Sequence, residues 1–238
     1  MTKNADNNQY TKCYVAFLDL LGFRNTLISA SCEDILNIFK EINKNPLVKA
    51  YRVEEGKTVA ISGPESLNCK IMSDSICFYI EADVQNAFFC ILSCCAIFQA
   101  KLLKLETPVL VRGAIVLNDL YAKDDVTFGK GLSQAYELEE KSAKYPRIIF
   151  TKETFDLGVK GTLEQIQPRM NELVFCDSDE FYCVDYLPYL SNIEKNDQTE
   201  YCKKVHDHII HVLSTTTDSS VRDKYVYLKK YFYRTFKL

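Results

Sequence analysis

The stretch Val84–Ala100, VQNAFFCILSCCAIFQA, contains no charged residue and is closed off by Asp83 and Lys101. It is shorter than the roughly 20 residues a helix needs to cross hydrocarbon, and Gln85, Asn86, Ser93 and Gln99 interrupt it. A helix that is apolar on all sides has to be covered on all sides. The segment therefore predicts a buried helix laid across a sheet, and the rest of the chain has to supply that sheet. Composition allows it: 238 residues, 47% hydrophobic and 26% charged, with 8 Gly and 6 Pro, suit one large globular domain or one domain with an appendage.

Tyr14–Leu18 (YVAFL) reads as an apolar strand, broken by Asp19 and Gly22 and followed by an amphipathic stretch over Thr26–Ile42. Asn45–Ser66, with Pro46, Gly56, Gly63 and Pro64, reads as connection, with room for helix around Val48–Val53. Leu67–Met72 and Ser75–Ile80 form the pattern of a hairpin with Asp74 at its tip. Pro108–Leu117 is a further strand, and Asp119–Phe128 returns beside it. Gly129 and Gly131 then precede a helix over Ser133–Ala143, and Arg147–Phe150 is strand again.

The order β, α, β, β, α, β predicts an α+β fold: a ferredoxin-like (split βαβ) antiparallel sheet with helices on one face. Beyond Thr151, short helical pieces lead to strands in ELVFC and FYCVDYL around the acidic turn Asp177–Glu180. From about Asn196 the chain reads as helical, with a break near Thr215–Ser220. The expected organisation is a flexible tail over 1–11, a main domain over 12–190 and a C-terminal helical extension over 191–238.

The 29 basic and 32 acidic side chains give a net charge of −3. Such a balance carries no global footprint for a nucleic-acid backbone or an anionic membrane, so neither nucleic acid nor a membrane span is expected. The amino terminus, MTKNADNNQYTK, is polar and lacks the apolar core of a signal sequence, which points to the cytoplasm. Ten cysteines include no CxxC pair, and several lie inside apolar runs, where a thiol acts as a small hydrophobe. In HDHIIH, His206 points about 200° from His208 on a helix, so three ligands do not converge on one metal. The last helix is aromatic and basic, and its expected use is docking onto the core or a second subunit.

Two carboxylates stand at strand ends. Asp19 ends the first strand and Asp74 sits at the hairpin tip, and in the predicted sheet those strands are neighbours. Paired hard oxygen ligands suit Mg²⁺ or Mn²⁺, which commonly use one or two carboxylates plus substrate phosphates. Aspartates also serve as turn and cap residues at such breaks, and spacing alone leaves both roles open.

The surrounding blocks add a resemblance. FLDLLGF (Phe17–Phe23), KIMSD (Lys70–Asp74), and VRGAI followed by FGKGLSQAYELEEKSAKYPRIIF (within Val111–Phe150) resemble, in order, the three core blocks of class III nucleotidyl cyclases. The resemblance covers about residues 13–150. It implies a cyclase-like catalytic domain in which Asp19 and Asp74 hold divalent metal, with the Leu20 carbonyl as a backbone ligand. It further implies that the amides of Leu21, Gly22 and Phe23 meet the triphosphate and that Lys70 contacts the base. The family works as head-to-tail dimers with sites at the interface, so a homodimer is implied, with Lys70 coming from the second chain.

The departures are informative too. With Gly129 as anchor, Ser133 stands where the family has its ribose-orienting asparagine, Glu137 where it has its transition-state arginine, and Val126 where adenylyl cyclases place a base-selecting residue. Charge on the transferring phosphate must be offset by something; Arg24, Lys130 and Arg147 are the candidates, while Arg112 matches a strand arginine of structural role. Glu137 also fits an ordinary solvated helix face paired to Lys141.

The expected function is therefore metal-dependent cyclisation of a nucleoside triphosphate to a 3′,5′-cyclic nucleotide and pyrophosphate. The altered purine-selecting pattern is similar to that of the bacterial Pycsar pyrimidine cyclases of antiphage defence, which favours UTP or CTP. A catalytically lapsed cyclase fold that binds a nucleotide or a scaffold partner is the alternative, and a polymerase-like nucleotidyltransferase the third reading.

Overall fold

The computed structural model describes residues 9–43, 49–54, 57–62, 67–123, 126–188 and 198–237. The expected tail over 1–11 falls largely outside them. The fold is mixed α+β, built on an open sheet of eight strands. β1 (Thr11–Leu21) lies near its middle, between β5 (Ser75–Glu81) and β6 (Leu110–Lys123), and the long order is β4-β5-β1-β6-β8-β10-β9. Here β4 is Asn68–Met72, β8 Ile148–Phe150, β9 Val174–Cys176 and β10 Tyr182–Val184, while the short β7 (Val126–Phe128) pairs back onto β6.

The sequence reading of this sheet needs two corrections. The sheet is not wholly antiparallel, because β6 and β8 run parallel, with Gly113 opposite Ile148. Nor do helices cover one face only. Tyr14, Ala16, Leu18 and Leu20 of β1 bury into a core with α3 (Ala87–Leu103), whereas Cys13, Val15 and Phe17 bury on the opposite face with Ala135 of α4 (Lys130–Ser142). The cause lies in YVAFL itself. A strand apolar at every position, rather than at alternate ones, has both faces buried.

Helix α3 is the buried element expected from its uncharged sequence, with Phe88, Ile91, Leu92 and Phe98 among its fully enclosed side chains. Two of its polar residues are tied down, while among the described residues Ser93 Oγ and Gln99 Oε1 are enclosed without a hydrogen bond. Asn86, in the left-handed region at φ 62°, accepts from the Leu163 amide at 2.9 Å, and Gln99 Nε2 donates to the Val111 carbonyl at 3.2 Å. A close approach holds the helix against α5 (Lys152–Lys160): a Cβ on Gly158 would stand 2.1 Å from the Phe88 ring, so a larger residue cannot fit without displacing that ring.

Part of the stretch read as connection pairs as a hairpin instead, β2 (Lys49–Glu54) with β3 (Lys57–Ser62), Val53 standing opposite Thr58. The helix expected around Val48–Val53 is thus strand from Lys49 onward. KAYRVE and KTVAIS carry tyrosine, threonine, valine and isoleucine in an alternating pattern, which suits a pleated surface better than a helix.

After β8 come α5, the short α6 (Gln167–Asn171) and the β9–β10 hairpin. Two long helices follow, α7 (Gln198–Thr215) and α8 (Ser219–Phe236). Val205 and Ile209 of α7, with Leu228, Tyr231 and Phe232 of α8, join the same apolar cluster as α3. The aromatic, basic last helix is therefore docked on the core. The Tyr231 hydroxyl accepts from the Tyr186 and Leu187 amides at 2.9 and 3.2 Å and donates to Asp185 at 2.6 Å. Among the described residues no helix is long and apolar enough to cross a membrane.

Candidate functional site

β1 ends at Leu21, and Gly22, at φ 78°, turns the chain into the short α1 (Phe23–Ser29). That left-handed conformation is open to glycine at no steric cost, which explains a glycine directly after the strand. One strand away, Met72 and Ser75 pair across a two-residue loop, with Ser73 left-handed at φ 61°. A positive φ at the first loop position is the mark of a tight hairpin whose twist matches its strands.

Register then joins the two breaks. Asp19 stands opposite Ser75, and the Leu20 amide donates to the Asp74 carbonyl at 3.0 Å. Residues paired in this way turn N–H and C=O toward the same neighbour, so the Leu20 carbonyl lies on the Asp74 side of β1. Asp19, Leu20 and Asp74 are thus brought to one sheet end.

On its other side Asp19 stands opposite Arg112 of β6. Arg112 Nε donates to Asp19 Oδ2 at 2.8 Å and lies 2.7 Å from Glu139 Oε1 on α4. Glu139 is almost fully enclosed, its side chain 3% exposed, whereas Asp19 keeps 20%. Burial pushes the Glu139 carboxyl up to about 7; Arg112 opposes that rise and the Asp19 charge adds to it. One arginine thus serves two carboxylates, one buried and one at the site.

The donor set of Asp19, Asp74 and the Leu20 carbonyl consists of hard oxygens, and it fits Mg²⁺ or Mn²⁺ whose remaining ligands are water and phosphate. Among the described residues no group of three or more His, Cys, Asp or Glu gathers as a complete protein cage. Any such ion would need oxygen ligands from a substrate or solvent.

The other expected residues are placed separately. Lys70 lies on the edge strand β4, opposite Cys77. Ser133 is exposed on the first turn of α4, six residues and so about 9 Å along the helix from Glu139. Leu21 is half-buried and Phe23 buried, flanking Gly22. A single chain therefore brings Asp19, Leu20 and Asp74 to one sheet end, with Lys70 on the strand that leads into Asp74 and Ser133 on the first turn of α4.

Of the basic candidates, Arg24 and Lys130 are exposed. Arg147 is a correction: it is 2% exposed and bonded to Asp177 and Asp179, near the far end of the sheet, so it is committed elsewhere. Glu137 pairs with Lys141 at 3.2 Å on the solvent face of α4. Two of the histidines pack against the last helix, with His206 and His208 bonded to Tyr233 and Tyr225 of α8 at 3.1 and 2.9 Å.

Glu139 is the site residue the motif reading missed. Its signal was present, since Gly131, Ala135 and Glu139 recur every fourth residue and form the buried stripe of α4.

No protein-family model and no curated protein matches the chain. Among solved structures it is similar to the catalytic core of a rhodopsin-guanylyl cyclase with converted specificity, in complex with ATPαS, at 12% identity over 64% of this chain and 83% of that one, with a TM-score of 0.47. It is also similar to a bacterial light-regulated adenylyl cyclase, at 12% identity over 83% of this chain and 99% of that one, with a TM-score of 0.44.

Proposed function

We propose that the chain is a class III-type nucleotidyl cyclase that converts a nucleoside triphosphate to a 3′,5′-cyclic nucleotide and pyrophosphate. One observation carries the reading: the β4–β5 hairpin tip sets Asp74 beside Asp19 and Leu20, the three residues that the sequence blocks single out. The strand order β4-β5-β1-β6, with every neighbour antiparallel, supports the split βαβ arrangement within it.

In this reading the Asp19 and Asp74 carboxylates and the Leu20 carbonyl hold Mg²⁺ or Mn²⁺. The bound ion supplies Lewis-acid activation of the ribose 3′-hydroxyl and offsets charge at the α-phosphate. Arg112 fixes the rotamer of Asp19 and leaves its other oxygen for a ligand. The amides of Leu21, Gly22 and Phe23 bind the triphosphate, and Lys70 and Ser133 meet the base and ribose. The resemblance to a family that works as head-to-tail dimers supports a homodimer in which each site takes residues from both copies. Exposed Val126, Phe128 and Tyr136, along β7 and α4, suit such an interface. The altered purine-selecting positions favour UTP or CTP and a signalling role in antiphage defence.

A lapsed cyclase is the second reading. Its support is specific: Glu137 stands where a transition-state arginine is expected, and it pairs with Lys141 on the solvent face.

Incubation with each of the four ribonucleoside triphosphates and Mn²⁺, with product mass as the readout, separates the two. The cyclase reading expects one cyclic product from the wild type and loss of it, by about a hundredfold or more, in Asp74→Ala. Wild type and variant alike with every nucleotide would establish the lapsed reading, and a linear or oligomeric product the polymerase-like one.

A further inference from the structure

Away from the acidic end, a cleft of about 770 Å³ opens between the end of α4, the β9–β10 turn and α8. Small-molecule sites occupy roughly 300–1,000 Å³. The cleft is a separate place: the strand order puts β10 three steps from β1, about 14 Å across the sheet.

Its floor is built from buried charge. Arg147 bonds Asp177 and Asp179, its Nε is enclosed without a hydrogen bond, and Tyr227 donates to Asp177 at 2.7 Å. Burying such pairs gains little stability over an apolar floor. Here they hold a surface in place: Tyr145 and Tyr227 stack at 4.7 Å with 2° between their planes, and the Arg147 guanidinium lies 5.6 Å from each ring.

Three chemistries meet in the cleft. The tyrosine pair lines the cleft, and each ring keeps one face that the other does not cover. Lys144 and Lys230 stand exposed on the rim with no ion-pair partner among the described residues. The Asp179 carboxylate, although bonded to Arg147, is 44% exposed and can accept further hydrogen bonds.

We propose that this cleft is a second ligand site and that it takes a nucleoside monophosphate. The base stacks on the outer face of one ring of the tyrosine pair, its amino or imino hydrogens go to Asp179, and the phosphate lies between Lys144 and Lys230. A ligand with only one of these groups leaves the others unused. The inference does not depend on the cyclase reading, because none of its residues belongs to the acidic end.

The test is calorimetric titration of the full chain with AMP, CMP, GMP and UMP in EDTA, with inorganic phosphate as the control. EDTA removes the divalent metal on which the acidic end would rely. At least one monophosphate should bind with a Kd below about 1 mM, and Lys144→Glu/Lys230→Glu should weaken it about tenfold. Both substitutions are on exposed side chains, and an unchanged melting temperature verifies the fold. Asp19→Asn/Asp74→Asn should leave the Kd unchanged even if it abolishes cyclase activity, so the two readings fail separately. The proposal is overturned if no monophosphate binds below about 1 mM, if the lysine variant binds like the wild type, or if phosphate alone binds as tightly as the nucleotide.

Discussion

Arg112 Nε lies 2.8 Å from Asp19 Oδ2 and 2.7 Å from Glu139 Oε1, so a residue at the acidic end is joined through one guanidinium to a residue enclosed beneath α4. Above about pH 7, where Glu139 is ionised, removing that guanidinium leaves it buried without its counter-charge. Arg112→Met should destabilise the protein by about 2–4 kcal/mol. The double variant with Glu139→Gln should lose at least about 1 kcal/mol less than the two single losses added together. Urea unfolding of the four proteins measures the coupling, and strict additivity would show that the pair does not interact.

The same carboxylate sets a pH dependence. Glu139 has its folded-state value raised from 4.5 to about 7, so between those values the folded protein binds the proton that the unfolded chain has released. Stability from this group is fully present below about pH 4.5 and is lost as pH rises toward 7, by up to about 3 kcal/mol. Glu139→Gln should flatten the stability profile across that window. A slope unchanged in the variant would assign the dependence to other groups.

Metal binding has a readout independent of turnover. An ion held by Asp19 and Asp74 stabilises the fold by about 1.4 kcal/mol at ten times its Kd, which raises the melting temperature of a chain this long by about 3–6 °C. Scanning calorimetry with and without Mn²⁺ should show that rise in the wild type and none in Asp19→Asn/Asp74→Asn. Equal shifts in both proteins would place the ion elsewhere.

Tyr231 tests how firmly α8 is joined to the sheet. Tyr231→Phe strips the partner from two buried amides and one carboxylate at once. Burial already raises the Asp185 carboxyl, and the Tyr231 hydrogen bond opposes that rise. Loss of the hydroxyl should cost about 2–4 kcal/mol, read as an earlier urea midpoint with an unchanged slope.

Apart from the β2–β3 hairpin, which was read as connection, the strands around the acidic end were legible because residues with a turn role bound them: Gly22 after β1, Ser73 and Asp74 between β4 and β5, and Gly129 before α4. That Asp19 and Asp74 fall at one sheet end was legible for the same reason, since two breaks on neighbouring strands lie side by side. The second covered face followed from YVAFL but competed with the simpler one-layer pattern. Glu139 was masked by Glu137 and Glu140, which flank it on the solvent side of α4 and make the whole run look exposed. Nothing local marks the cleft. Arg147 meets partners 30 and 32 residues on, and Tyr227 a further 50 from Asp177, so only tertiary packing assembles them.

The cysteines acquire a use from where the sheet places them. Most are enclosed, but Cys69 on β4 and Cys176 on β9 are exposed, and those two strands are the opposite ends of the strand order. With the exposed Cys32 replaced by serine, paired spin labels at the two positions become a ruler laid across the sheet. Six strand steps span about 29 Å, somewhat less after twist. Burial around its sulfur raises the Cys69 thiol to about 11, which slows labelling there and sets the order in which two different probes are attached.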